Sequence, residues 1–172
     1  ERFRRQSHTD ELTQLPARQE LLEQMETEWS RALSGGAPLS LVLLDLDGFK
    51  AYNKTHGYLS GDQCLIGLAQ RIRKQVRDHR GFLARFSGNE FALLLPDTNA
   101  STARTVRDMM EACVRQAAFE NRVEGSGGIL TATGGTYTTV PTGEDSFLEM
   151  VDHAARAVRE QNRLHARDPS PN

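Results

Sequence analysis

The sequence predicts a single mixed α/β domain of the α+β kind, a sheet containing antiparallel pairs with helices packed on it. Apolar stripes at helical spacing alternate with short β-prone runs in the order helix, β-α-β-β-α-β, helix, which is a split βαβ pattern. Two of the runs, Gly81-Phe82-Leu83-Ala84 and Ala92-Leu93-Leu94-Leu95-Pro96, flank a short polar break containing Gly88, as the arms of a hairpin do. A chain of 172 residues is most simply one domain and is long enough to bury a core.

The first nine residues are rich in charge and read as a linker or the end of a stem helix. The domain proper is expected over 10–166, with 167–172 a linker or tail containing Pro169 and Pro171. Pro16 suits the first turn of a helix, and Leu22, Met25, Trp29 and Ala32 follow at helical spacing until Ser34-Gly35-Gly36-Ala37-Pro38 ends it. A strand is expected at 39–46, followed by the segment Gly48 to Gly57, to which no element is assigned. Ser60 and Gln63 form a capping-box pair for the next helix, whose buried stripe is Leu65, Leu68, Ala69, Ile72 and Val76. After the hairpin, Ala103, Val106, Met110, Cys113 and Ala117 mark a helix running to about 118. A Gly-rich break at 125–128 precedes a β-prone stretch from Leu130 to Val140, interrupted by Gly134-Gly135. The last helix is expected from near Asp145, with Leu148, Val151, Ala155 and Val158 on its apolar face.

Composition removes several function classes. Lys and Arg total 21 against 23 Asp and Glu, a net charge of -2, so no overall basic field argues for DNA or RNA. Cys64 and Cys113 fall on apolar helix faces without metal spacing and read as small core residues. His8, His56, His79, His153 and His165 form no metal pattern. No apolar run approaches membrane-spanning length and no signal peptide is present. The absence of an initiating Met suggests a piece of a longer protein, for which a membrane anchor elsewhere remains compatible.

Chemistry concentrates in two places. The run Leu41-Val42-Leu43-Leu44-Asp45-Leu46-Asp47 ends a buried-looking strand on two carboxylates, and Asn89 and Glu90 are presented at the hairpin. Carboxylates closing an apolar strand beside a polar hairpin are the parts of a metal and phosphate site. Taken alone, Asp62 also serves as a helix N-terminal acid, Asp47 as a turn former, and Lys50, Arg159 and Arg163 as solvated surface charges.

In order and spacing, the motifs of this chain resemble those of the GGDEF domain, the catalytic module of diguanylate cyclases. The matches are Asp10-x-Leu12-Thr13-x-Leu15-Pro16-x-Arg18, Leu44-Asp45-Leu46-Asp47-x-Phe49-Lys50-x-x-Asn53, Gly61-Asp62, Arg85-Phe86-Ser87-Gly88-Asn89-Glu90-Phe91, Leu95-Pro96, and Asp152 with Ala154. The resemblance implies a palm-like, ferredoxin-related βαββαβ sheet with flanking helices, of nucleotide-cyclase type. It also implies condensation of two GTP molecules into cyclic di-GMP by a dimer, with Mg²⁺ or Mn²⁺ bridging the phosphates. Carried over position by position, Asp45 and the carbonyl of Leu46 match metal ligands, and Asn89 falls where a second, anionic ligand is usual. Lys50 matches a phosphate contact, and Asn53 and Asp62 the pair that reads the guanine edge. Ser87 and Gly88 line the phosphate turn, and Arg159 and Arg163 fall where terminal phosphates are held.

Departures from the family pattern set the functional expectation. The signature reads Ser-Gly-Asn-Glu-Phe where the family has Gly-Gly-Asp/Glu-Glu-Phe. A missing unit charge about 4 Å from a cation is worth roughly 4 kcal/mol at an effective dielectric near 20, on the order of a thousandfold in rate. Glu90 offers partial compensation by rotating toward a metal. The Arg-x-x-Asp inhibition site common in active members is replaced by Asp78-His79-Arg80-Gly81, and Lys54 and Tyr58 replace a common Asp and His. The expected protein is a non-catalytic, guanine-nucleotide-binding regulatory domain of cyclic di-GMP signalling. Its expected setting is cytoplasmic and bacterial, beside an EAL phosphodiesterase or sensor domain, with homodimerisation. A weakly active diguanylate cyclase and a pure dimerisation module are the alternatives.

Overall fold

A computed structural model describes residues 8–167; the stem expected at the N-terminus, up to residue 7, and the tail 168–172 lie outside the described residues. The elements are α1 (Arg18–Gly35), β1 (Leu39–Leu46), α2 (Phe49–His56), α3 (Tyr58–Val76), β2 (Phe82–Ser87), β3 (Glu90–Pro96), α4 (Ala100–Ala117), β4 (Ala132–Thr139) and α5 (Leu148–Arg167), with a 3-10 turn at Arg77–His79. Four strands form one sheet in the order β2-β3-β1-β4, and all three neighbouring pairs are antiparallel.

Strand alternation splits the core into two layers. Val42, Leu44, Leu46, Phe91, Leu93 and Leu95 face α2, α3 and α4, and pack on Phe49, Leu65, Leu68, Ile72, Val106 and Met110. Leu39, Leu41, Leu43, Ala92 and Leu94 face the other way, onto Leu21, Met25 and Trp29 of α1 and Met150, Ala154 and Val158 of α5. A strand covered on both faces reads as an unbroken apolar run, which is why β1 shows no alternation. Both cysteines are buried and free.

Several local expectations change. The segment after β1 is a helix, α2, opened by Gly48 at φ +60 and closed by Gly57 at φ +88. Only two of its eight residues, Phe49 and Tyr52, are buried, too short a stripe for periodicity to reveal. Because Gly57 also starts α3, Ser60 lies inside that helix and caps nothing. Pro16 precedes α1 in an extended strap, bridging to Thr9 while Ala17 bridges to Arg85 of β2. β4 runs straight through Gly134-Gly135. Those glycines admit the helices: a Cβ on Gly135 would lie 2.4 Å from the Val158 nitrogen and 2.6 Å from the Ala154 oxygen of α5. The polar break of the hairpin is narrower than expected, since β2 and β3 extend to Ser87 and Glu90 and leave only Gly88-Asn89 as the turn.

Candidate functional site

Register brings the two chemical stretches together. In the β1–β3 pairing Asp45 lies opposite Glu90, and the Leu46 amide donates to the Asn89 carbonyl at 3.0 Å. The side chains meet as well: Asn89 Nδ2 donates to Asp45 Oδ1 at 2.5 Å. The amide presents its nitrogen to this carboxylate, where its oxygen would be repelled by an ionised Asp45. Burial first, and then the negative charges of Glu90 and Asp47, push the Asp45 carboxyl up to about 6. Ser87 Oγ donates to Glu90 Oε1 at 2.6 Å, which ties that carboxylate to the hairpin and opposes its rotation toward Asp45. Asp47 accepts hydroxyls from Thr131 at 2.7 Å and Thr133 at 2.8 Å, so it clamps the end of β1 to the start of β4.

Two clefts open on either side of this tip. One, of about 530 Å³, is lined by Asp45, Leu46, Asp47, Lys50 and Asn89, with Asn162 and His165 of α5 across from them. The other, of about 350 Å³, is lined by Phe49, Lys50, Asn53, Asp62, Gly88 and Asn89, among others. Lys50 is exposed, lines both, and has no carboxylate in ion-pair contact among the described residues. Asn53 Oδ1 is buried without a hydrogen-bond partner among the described residues. Such an orphan costs on the order of 1–3 kcal/mol and is rare enough in a folded protein to mark a site. It is packed onto Gly61, where a Cβ would come within 1.9 Å of it.

A second set of contacts fixes the hairpin from outside. Arg85 Nη1 reaches both oxygens of Asp10, at 3.1 and 3.2 Å, while its Nη2 donates to the Gly88 carbonyl at 2.8 Å and its Nε to the Ser87 carbonyl at 3.2 Å. Burial pushes the Asp10 carboxyl up, but hydrogen bonds from Thr13 and the Arg85 guanidinium outweigh that and hold it below the usual range. Asp10 and Arg85 were legible as motif letters, yet their separation of 75 residues concealed that they brace the turn.

Residues 7–167 match the family model described as "Diguanylate cyclase, GGDEF domain". The chain belongs to the GGDEF family. It is 38% identical over 121 residues to the diguanylate cyclase DgcP of Pseudomonas aeruginosa, which covers 70% of this chain and 18% of that protein. The bifunctional diguanylate cyclase/cyclic di-GMP phosphodiesterase MucR of the same organism is 34% identical over 133 residues, 75% of this chain and 19% of the relative. The chain thus spans about a fifth of the length of these curated relatives. Among solved structures, the GGDEF domain of DgcB from Caulobacter crescentus in complex with c-di-GMP superposes with a TM-score of 0.80 at 27% identity, over 95% of this chain and 92% of that one.

Within the GGDEF frame, the donors around Asp45 suit a divalent cation poorly. Asp45 supplies a carboxylate and Leu46 a carbonyl, but the Asn89 amide turns an N–H toward the shared space and Glu90 is held by Ser87. No group of three or more His, Cys, Asp or Glu side chains placed to hold a metal ion occurs among the described residues.

The remaining GGDEF positions divide. Arg159 and Arg163 are exposed on α5 and line neither cleft; Arg163 donates to Glu160 of its own helix. Asn162 and His165, three residues apart, are what α5 presents to the Asp45 cleft; no sequence signal marked Asn162, and His165 stood only among histidines that form no metal pattern. At the far end of β3, Asp78 lies in the 3-10 turn. A Cβ on Gly81 would meet Leu93 Cδ1 at 2.7 Å and Leu95 Cδ2 at 2.9 Å, so a side chain there would require these leucine ends to shift. None of the described helices is long and apolar enough to cross a membrane.

Proposed function

We propose that this chain is a non-catalytic, guanine-nucleotide-binding GGDEF domain that regulates a larger cyclic di-GMP signalling protein. The observation that carries this reading is the 2.5 Å bond from Asn89 Nδ2 to Asp45. A neutral amide bridges the hairpin and β1 where cyclase chemistry calls for an anion and a cation. The charge neutralisation that phosphoryl transfer depends on is thereby weakened.

Binding has different requirements. Asp62 can accept from guanine N1–H and N2–H₂ together, a pattern adenine lacks, while the Asn53 amide supplies a second polar contact in the same cleft. Lys50 stands between that cleft and the Asp45 side to take a phosphate. None of these contacts needs a charge on Asn89. The relatives DgcP and MucR bring cyclic di-GMP signalling as the setting, and MucR's bifunctional name makes an adjacent EAL phosphodiesterase domain the neighbour to look for. A sensor domain, a homodimer and a cytoplasmic location complete the proposed context.

The test is calorimetric titration of GTP and ATP, with and without Mg²⁺. GTP should bind in preference to ATP, with little gain from Mg²⁺, and Asp62→Ala should erase the preference because a site built around a polar edge rejects its absence strongly. Folded protein that binds no GTP would instead support a dimerisation module with a dead pocket.

A further inference from the structure

Tyr58 is 75% exposed, and nothing in the fold accounts for it. It opens α3 directly after Gly57, which holds φ +88, and it makes no hydrogen bond or ring contact among the described residues. Yet it lines the 350 Å³ cleft, together with Asp62 and Leu65. These three residues are spaced i, i+4 and i+7 and so share one face of α3. Leu65 and Phe49 are 2% and 7% exposed and give the cleft an apolar floor, while Asn53 and Asp62 provide its polar edge. A planar heterocycle whose edge is read by Asp62 needs a partner for its open face, and the aromatic ring one helical turn away is placed to supply it.

We propose that Tyr58 is the stacking platform of this cleft, closing over the face of a purine base whose edge Asn53 and Asp62 engage. The inference rests on the reading of the cleft as a guanine pocket and adds to it a residue with a separable effect. Stacking on an aromatic ring tolerates every base, since each has a π-face, whereas hydrogen bonding to the edge discriminates. Tyr58 therefore sets affinity and Asp62 sets choice.

The experiment titrates GTP and inosine triphosphate, which lacks the 2-amino group, against wild type, Tyr58→Ala, Tyr58→Phe and Asp62→Ala, and records ultraviolet hypochromism of the bound base. Tyr58→Ala should weaken both nucleotides by the same roughly ten- to hundredfold, leave the GTP-to-ITP ratio unchanged and abolish the hypochromism. Tyr58→Phe should retain affinity, and Asp62→Ala should collapse the ratio. Circular dichroism matching wild type is expected for an exposed position and excludes unfolding as the cause. GTP binding that is indifferent to Tyr58→Ala overturns this inference alone. A loss confined to one nucleotide, or an equal loss in Tyr58→Phe, overturns it too, because the hydroxyl rather than the ring would then be the contact. Absence of any nucleotide binding to wild type overturns the pocket reading and this inference with it.

Discussion

At the scale of single residues, Asn89 exchanges a negative charge for a hydrogen-bond donor, and the exchange has opposite consequences with and without a cation. Asn89→Asp would remove the donor to Asp45 and set two carboxylates against each other beside Glu90. Losing a partly buried charge-assisted bond costs about 1–3 kcal/mol, and for a domain of this size each kcal/mol moves Tm by about 2–4 °C. Metal-free Asn89→Asp should therefore melt several degrees below wild type, and Mg²⁺ should raise its Tm while leaving wild type nearly unchanged; thermal melts with and without Mg²⁺ check both. Asp45 itself makes stability depend on pH. Its carboxyl is raised from an ordinary value of 3.8 to about 6, so between those values the folded state holds more proton than the unfolded one. Its contribution is fully present below the unfolded value and is lost as pH rises toward 6 and through it. Asp45→Asn should flatten that part of the stability profile, measured by urea denaturation across the range.

At the scale of elements, the site depends on how closely helices and strands approach. Gly61 of α3 leaves space for the Asn53 amide of α2, and Gly135 of β4 leaves space for the α5 backbone. The two glycines should respond differently to the same substitution. Gly61→Ala gains helix propensity of about 1 kcal/mol but drives Asn53 out of place, so guanine nucleotide affinity should fall without a drop in Tm. Gly135→Ala meets backbone atoms that cannot turn aside, and overpacking of this kind typically costs about 1–3 kcal/mol or more; its Tm should fall. Paired melts and GTP titrations distinguish the two. These cases also show where the sequence was legible. The bounds of β1 and, apart from α2, the order of the elements could be read because both rest on local apolar patterning. The continuity of β4 and the existence of α2 could not, because one depends on helices arriving from distant sequence and the other buries only Phe49 and Tyr52. Of the candidate residues, Asp45, Asn89, Lys50, Asn53 and Asp62 are brought to two adjoining clefts. Which face of α5 looks inward was missed: charge drew notice to Arg159 and Arg163, while helix rotation, fixed by Met150, Ala154 and Val158 in the core, turns Asn162 and His165 toward Asp45.

At the scale of the whole molecule, a three-layer GGDEF fold keeps two clefts beside a hairpin that is closed by side-chain hydrogen bonds. Asp10 of the N-terminal strap holds Arg85, which grips the Gly88 carbonyl of the turn, while Asn89 bonds Asp45 of β1 and Ser87 bonds Glu90 within the hairpin. On the proposed reading, this closed hairpin leaves guanine-nucleotide binding possible while withholding the charge that turnover needs. The proposed function separates binding from catalysis. Its most direct test is to incubate the protein, held as a dimer, with GTP and Mg²⁺ or Mn²⁺ at concentrations where titration shows the site filled, and to quantify cyclic di-GMP by chromatography. GTP should be bound and product should stay at or near background, on the order of a thousandfold below an ordinary cyclase; turnover comparable to such a cyclase would overturn the separation of binding from catalysis.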